Sequence, residues 1–166
     1  MDTKTIENTN EKLPLGISGL GGWLILVQIG LYGTILMLIA QIFLYIIPSF
    51  KPETWSLITS PESVYYHSLL GPLIVFEAVA NSLMLIFCIF ILFNFYKKKS
   101  KLPLLMIFFY SSSLLILTID MIAIYQITQF EDDESQIRDF VRMLITCLIW
   151  IPYFIKSKRV KNTFVR

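Results

Sequence analysis

The fold class this sequence predicts is an all-α, polytopic membrane protein with four transmembrane helices and both termini in the cytoplasm. Three observations predict it. Of 166 residues, 55% are hydrophobic and only 16% charged, and the mean hydropathy of +0.67 is too high for an ordinary soluble domain. Four apolar runs approach or exceed the roughly 20 helical residues that a hydrocarbon core about 30 Å thick requires. Lys and Arg are divided very unevenly between the two sides those runs define. With 7 Gly, 7 Pro and 2 Cys, a disordered chain, a collagen-like repeat and a disulfide scaffold are excluded.

Residues 1–20 form a cytoplasmic N-terminal segment. They lack the basic start, short apolar stretch and small-residue cleavage site of a signal peptide, so the first helix is expected to stay as an anchor. A four-helix transmembrane domain follows over 21–156, with a basic cytoplasmic tail over 157–166. The first helix is expected over 23–47, interrupted only by Gln28, Gln41 and small polar residues, and stopping at Pro48. The first outer loop, 48–71, is the one connection long enough to hold structure of its own. Its Thr59-Ser60-Pro61-Glu62 reads as a helix start, with a hydroxyl cap and proline in the first turn. Trp55, Tyr65 and Tyr66 are residue types that settle at headgroup level, so a short interfacial helix is expected there, a lid over an outward cavity being the competing reading.

Gly71-Pro72 breaks or kinks the chain before the second helix, expected over 73–96 and ending at Lys97-Lys98-Lys99. Pro103 opens the third, expected to reach Gln126, because a first-turn residue needs no N–H partner. The fourth, over 140–155, reaches only about 24 Å at 1.5 Å per residue. Snorkelling of Arg142, Lys156 and Lys158 would cover the shortfall.

Four crossings place Lys4, Lys12, Lys97, Lys98, Lys99, Lys101, Lys156, Lys158, Arg159, Lys161 and Arg166 together, eleven of the fourteen basic residues. The other side holds Lys51, Arg138 and Arg142 among a larger number of carboxylates and is net acidic. The basic side is therefore read as cytoplasmic. Topology alone accounts for the basic loop and tail, and Lys97, Lys98, Lys99, Lys101, Lys158, Arg159 and Lys161 are candidate contacts for lipid headgroups. Nucleic-acid binding is not expected, since these residues flank membrane helices and no binding motif accompanies them. The acidic run Glu131-Asp132-Asp133-Glu134 lacks the alternating ligands and glycine of a calcium loop and reads as a solvated charge run.

Catalytic and cofactor chemistry is sparse. The single histidine, His67, lies in the first outer loop, so no haem, zinc or other cofactor is expected. Cys88 and Cys147 fall within helices, where a thiol acts as a small hydrophobe. No nucleophile elbow or phosphate loop is present, and only Glu77 and Asp120 could form an acid pair.

The intramembrane polar residues carry the most information, because a buried ionisable group costs several kcal/mol unless paired or hydrated. Gln41, Glu77, Asp120 and Arg142 lie six, four, six and two residues from their outer helix ends, roughly 3 to 9 Å deep. Each belongs to a helical stripe: Gly30, Thr34 and Gln41; Glu77, Asn81 and Cys88; Ser113 and Asp120; Arg142, Thr146 and Tyr153. The candidate polar cluster is thus Gln41, Glu77, Asn81, Asp120 and Arg142, with Arg142 expected to pair with Asp120 or Glu77. It reads as hydrogen-bonding glue that fixes helix register, or as a water-filled cavity, binding site or proton path, or as a partner-binding surface.

The two ends carry motifs of their own. Gly19-Leu20-Gly21-Gly22-Trp23-Leu24 opens the first helix, and Pro152-Tyr153-Phe154, followed by Ser157-Lys158-Arg159-Val160-Lys161 and Thr163-Phe164, closes the chain. With the central basic loop before Pro103, this pattern over about residues 16–165 resembles the bacterial inner-membrane family known as domain of unknown function 2569. The resemblance implies a small four-helix bacterial membrane protein and carries no established activity or catalytic residue. The opening glycines let the chain bend into the membrane, with Trp23 at the interface. The closing segment alternates basic and apolar residues, so it either runs along the headgroups or docks on the inner end of the bundle.

Little extramembrane mass and no catalytic motif make a non-enzymatic scaffold or regulatory component of a membrane assembly the first expectation. Its partners would be membrane lipids and a protein partner or second copy. The competing expectation is a small channel or transporter with an outer vestibule around Glu77, Asp120 and Arg142. Having only four helices and no inverted repeat, it would need an oligomer. A lipid-modifying enzyme is the remaining alternative.

Overall fold

The computed structural model describes residues 18–127 and 134–165. The acidic residues Glu131, Asp132 and Asp133, most of the N-terminal segment and Arg166 lie outside the described residues. All regular structure among the described residues is helical: α1 (Trp23–Gln41), a π-helical stretch (Ile42–Ile46), α2 (Ile47–Ser49), α3 (Pro52–Thr59), α4 (Leu70–Tyr96), α5 (Leu102–Ile127), α6 (Glu134–Lys156) and α7 (Lys158–Thr163).

Among the described residues, three continuous helices are long and apolar enough to cross a membrane, Trp23–Ser49, Leu70–Tyr96 and Leu102–Ile127. Their outward faces keep Leu36, Met37, Leu83, Ile86, Phe108 and Leu115 exposed, a surface that suits lipid far better than water. The first of these helices continues through Pro48 instead of ending there. Proline lacks an N–H and its ring crowds the carbonyl four residues back. A wider turn directly upstream, in which Ile47 N–H reaches the Ile42 carbonyl, accommodates it without a break.

Pro52 opens α3, with Glu53 in its first turn. The expected helix start at Thr59-Ser60 is therefore corrected: Thr59 ends a helix there, Ser60 is extended, and turns follow to His67. Two proline starts compete in this loop, and the earlier one leaves the end of α3 packed on α4, where a β-carbon at Gly71 would lie 3.3 Å from Thr59 Cγ2.

At the other end of α4 the chain reverses sharply. Lys98 adopts φ 52°, with Lys98 N–H donating to Phe95 O and Lys99 N–H to Asn94 O, both at 3.1 Å, the hydrogen-bond pattern of a Schellman motif. The hairpin this makes sets α4 against α5. Helix α6, starting at Glu134, packs along α5 and ends beside the start of α1, where the rings of Trp23 and Trp150 lie 6.1 Å apart.

The main apolar core lies in one half of this bundle, with Ile46 and Ala80 buried outside it. Its members are Leu24, Val27 and Leu31 of α1, Cys88, Ile91 and Phe95 of α4, Leu102, Met106, Phe109 and Tyr110 of α5, and Cys147 and Phe154 of α6. All lie toward the end that carries Lys97, Lys98, Lys99 and Lys101, called here the basic end. Helix α7 closes that end: Val160, Thr163 and Phe164 are buried, and the Phe164 ring lies 5.6 Å from Phe95. Ser157 caps α7 by accepting from Val160 N–H.

Candidate functional site

Beyond the apolar core, toward the opposite end, the helices do not fill the space between them. A cavity of about 200 Å³ opens there, lined by Thr34, Leu38 and Gln41 of α1, Asn81 and Met84 of α4, and Ser113, Ile116, Leu117 and Asp120 of α5. Gln41, Asn81 and Asp120 of the candidate cluster thus meet in one place, joined by Thr34 and Ser113 from the same helical stripes. Glu77, one turn before Asn81, is not among the lining residues.

The Gln41 and Asn81 amides bring both donors and acceptors to the lining, while its two hydroxyls are turned onto their own helices. Thr34 Oγ1 donates to the Gly30 carbonyl at 2.9 Å and Ser113 Oγ to the Phe109 carbonyl at 2.8 Å. Each hydroxyl has spent its proton on its own helix, leaving lone pairs as acceptors. Asp120 Oδ1 is buried and has no hydrogen-bond partner. Such an atom is costly to leave unsatisfied. Among the described residues, no Lys, Arg or His lines the cavity.

Arg142 is corrected here. It does not pair with Asp120 or Glu77. Its Nη1 lies 3.5 Å from Asp139 Oδ1, one turn earlier on α6, and its side chain is 72% exposed. Five residues at 3.6 per turn place Arg142 about 140° around the helix from Cys147, which is buried and donates to the Tyr110 carbonyl at 3.4 Å. Depth along the helix matched the cluster, but the direction around it did not.

Leu38, Met84, Ile116 and Leu117 were not singled out from the sequence. Each sits three or four residues from a polar member of the site, a spacing that marks neighbours on one helix face. A second, smaller cavity of about 130 Å³ lies between α1, α5 and α6 and shares Thr34 with the first; Gly30, Thr146 and Trp150 also line it.

At the basic end the candidate headgroup residues divide into two kinds. Lys97, Lys99, Lys101, Lys158 and Lys161 are exposed, with Lys97 Nζ 3.9 Å above the Phe93 ring, and Lys98 forms the turn. Arg159 instead lies on the opening glycines. A β-carbon at Gly22 would collide with Arg159 Nη1, and Arg159 Nε is buried with no hydrogen-bond partner among the described residues. Thr163 Oγ1 accepts from Gly19 N–H at 3.0 Å and lies 3.3 Å from Gly19 O, to which it can donate. The closing motif docks on the bundle and clasps the opening one.

No curated protein and no solved structure matches this chain. The family described as protein of unknown function (DUF2569) matches residues 17–165, a stretch that begins just before the opening glycines and ends just after the tail that clasps them. The chain belongs to that family.

Proposed function

We propose that this protein is a non-enzymatic bacterial inner-membrane protein that crosses four times, with both termini cytoplasmic, and binds a small polar solute in the outer half of the membrane. The observation that carries the reading is the buried, unpartnered Asp120 Oδ1 at a cavity of about 200 Å³ with polar residues from three helices. Hydrogen-bonding glue would have satisfied its polar atoms, whereas this site leaves acceptors open. The packing agrees: an apolar core and α7 seal the basic end, while the polar space lies toward the other.

A fourth crossing by α6 is supported by its 23 residues, about 35 Å at 1.5 Å each, and by its packing along α5. Its charged residues Arg138, Asp139 and Arg142 gather in the first turns and are exposed, as headgroup-level residues would be. The division of Lys and Arg supports the orientation. Trp55, stacked on Phe50 at 5.2 Å, and exposed Tyr65 and Tyr66 support an interfacial place for α3 and the turns after it.

A scaffold or regulatory role is the second reading. Gln28 donates to Tyr96 Oη, which lies 3.0 Å from Tyr32 Oη, on an exposed flank of α1 and α4. Polar groups there favour cover by protein over lipid.

Thiol labelling separates the two. In lipid, Ser113→Cys should react with a small neutral aqueous thiol reagent, whereas Leu115→Cys, 61% exposed on the outward face, should not, because a thiol surrounded by hydrocarbon does not ionise. Buried Cys88 and Cys147 provide an unreactive background. Equal protection of both new cysteines would show a dry site and leave the scaffold reading.

A further inference from the structure

We propose that one phospholipid acyl chain, from the leaflet at the end opposite the basic residues, occupies a groove of about 440 Å³ between α4 and α5. The groove is distinct from the polar cavity, although Met84 and Ile116 border both. The proposal needs only that α4 and α5 lie in lipid, as their length and apolarity indicate. Ala80 forms the floor: it is 8% exposed, while Val79, Leu83 and Phe108 around it are more than half exposed. A methyl group among larger side chains leaves the recess. Among the described residues that line it only Ser112 is polar, and its hydroxyl can donate to Phe109 O at 3.0 Å or to Met84 Sδ at 3.8 Å. Water does not settle in an apolar recess, so in a membrane hydrocarbon fills it.

Length and width decide which hydrocarbon. On α4 the lining runs from Phe76 to Phe87, eleven steps of 1.5 Å or about 16 Å, which is half of a hydrocarbon core about 30 Å thick. Spread over that length, the volume of about 440 Å³ gives a mean cross-section of about 28 Å². Carbon atoms in contact stand about 3.5–4.0 Å apart, so this width takes a single extended methylene chain. A helix about 10–12 Å across does not enter it, and a second copy of the chain would lie over the rim. Toward the basic end, the Phe87 and Phe108 rings meet edge to face at 5.6 Å and join α4 to α5. That pair closes the groove on the basic side, so the acyl chain enters from the opposite leaflet.

The test uses the full chain in lipid nanodiscs that contain, at low mole fraction, a phospholipid with a photoactivatable diazirine midway along one acyl chain. Leu83 lies thirteen residues from Leu70 and Leu36 thirteen from Ser49, so the two share a depth. They are 61% and 67% exposed, but only Leu83 borders the groove. After illumination, peptide mass spectrometry should find at least threefold more adduct at Leu83 than at Leu36. Ala80→Trp, which fills the recess, should bring the two yields to equality. Equal yields in the unaltered chain would show bulk lipid only and overturn the proposal, a comparison that needs no variant to fold. An excess at Leu83 that survives Ala80→Trp in the folded variant overturns it as well, since the recess is then not the seat. Less adduct at Leu83 than at Leu36 would show that protein, such as a second copy, covers the groove in place of lipid.

Discussion

Gly22 meets two separate constraints. Its φ of +63° lies where L side chains are strained, and a β-carbon there would collide with the Arg159 guanidinium, whose Nε is already buried. Gly22→Ala should therefore cost about 1–3 kcal/mol, and removing the guanidinium as well, by Arg159→Ala, should relieve only the steric share. Arg142→Ala should change stability by less than about 0.5 kcal/mol, because an exposed ion pair one turn apart contributes little. Denaturant unfolding in detergent, followed by tryptophan fluorescence, checks both, since Trp23 follows Gly22 directly and packs near Trp150. A destabilised Arg142→Ala beside an unaffected Gly22→Ala would reverse the assignment of which arginine is structurally committed.

Among the elements, α7 does the most with the fewest residues. With its C-cap residue it turns Val160, Thr163 and Phe164 onto the bundle while Lys158 and Lys161 face outward, so residues 158–164 present an apolar face and a basic one. Phe164, 4% exposed against Phe95, should lose about 3–5 kcal/mol on truncation to alanine. Its exposed neighbour Val165 should lose almost nothing. The same unfolding measurement decides it, and equal effects at the two positions would mean that the tail does not dock. The π-helical stretch has a different consequence. It begins at the residue after Gln41, so the widened turn that accommodates Pro48 adjoins the polar cavity.

For the molecule as a whole, the asymmetry of packing matches the asymmetry of charge. The sealed half carries the basic loop and tail, and the half with the open polar space carries Glu77 and Asp120. If the basic end is cytoplasmic, a membrane-impermeant thiol reagent applied to intact cells should label Ser56→Cys but not Ser100→Cys. Replacing Lys97, Lys98, Lys99 and Lys101 with Gln should shift part of the population toward the opposite labelling pattern. Labelling of Ser100→Cys alone in the unaltered background would invert the proposed orientation and turn the cavity toward the cytoplasm.

The sequence by itself determined the quantities that run along a helix axis. Apolar run length marked the three long helices, and the constant rise per residue put Gln41, Glu77, Asp120 and Arg142 at similar depths, because depth is additive along a regular helix. Family membership was also legible, carried by the glycines at one end and the Ser-Lys-Arg-Val-Lys segment at the other. Only the tertiary structure decided what depends on azimuth and on neighbours. Arg142 has the right depth, yet α6 packs on α5 through Cys147 and Phe154 and carries the guanidinium away from the site. The loop helix has two proline starts, and contact between Thr59 and Gly71 accompanies the earlier one. The clasp between Gly19 and Thr163 spans a sequence separation of 144 residues, and no local periodicity encodes a partner that far away. The hydroxyl protons of Thr34 and Ser113 are committed to their own helices, so it is the folded arrangement that leaves their lone pairs, together with Asp120, as unmatched acceptors at a shared cavity.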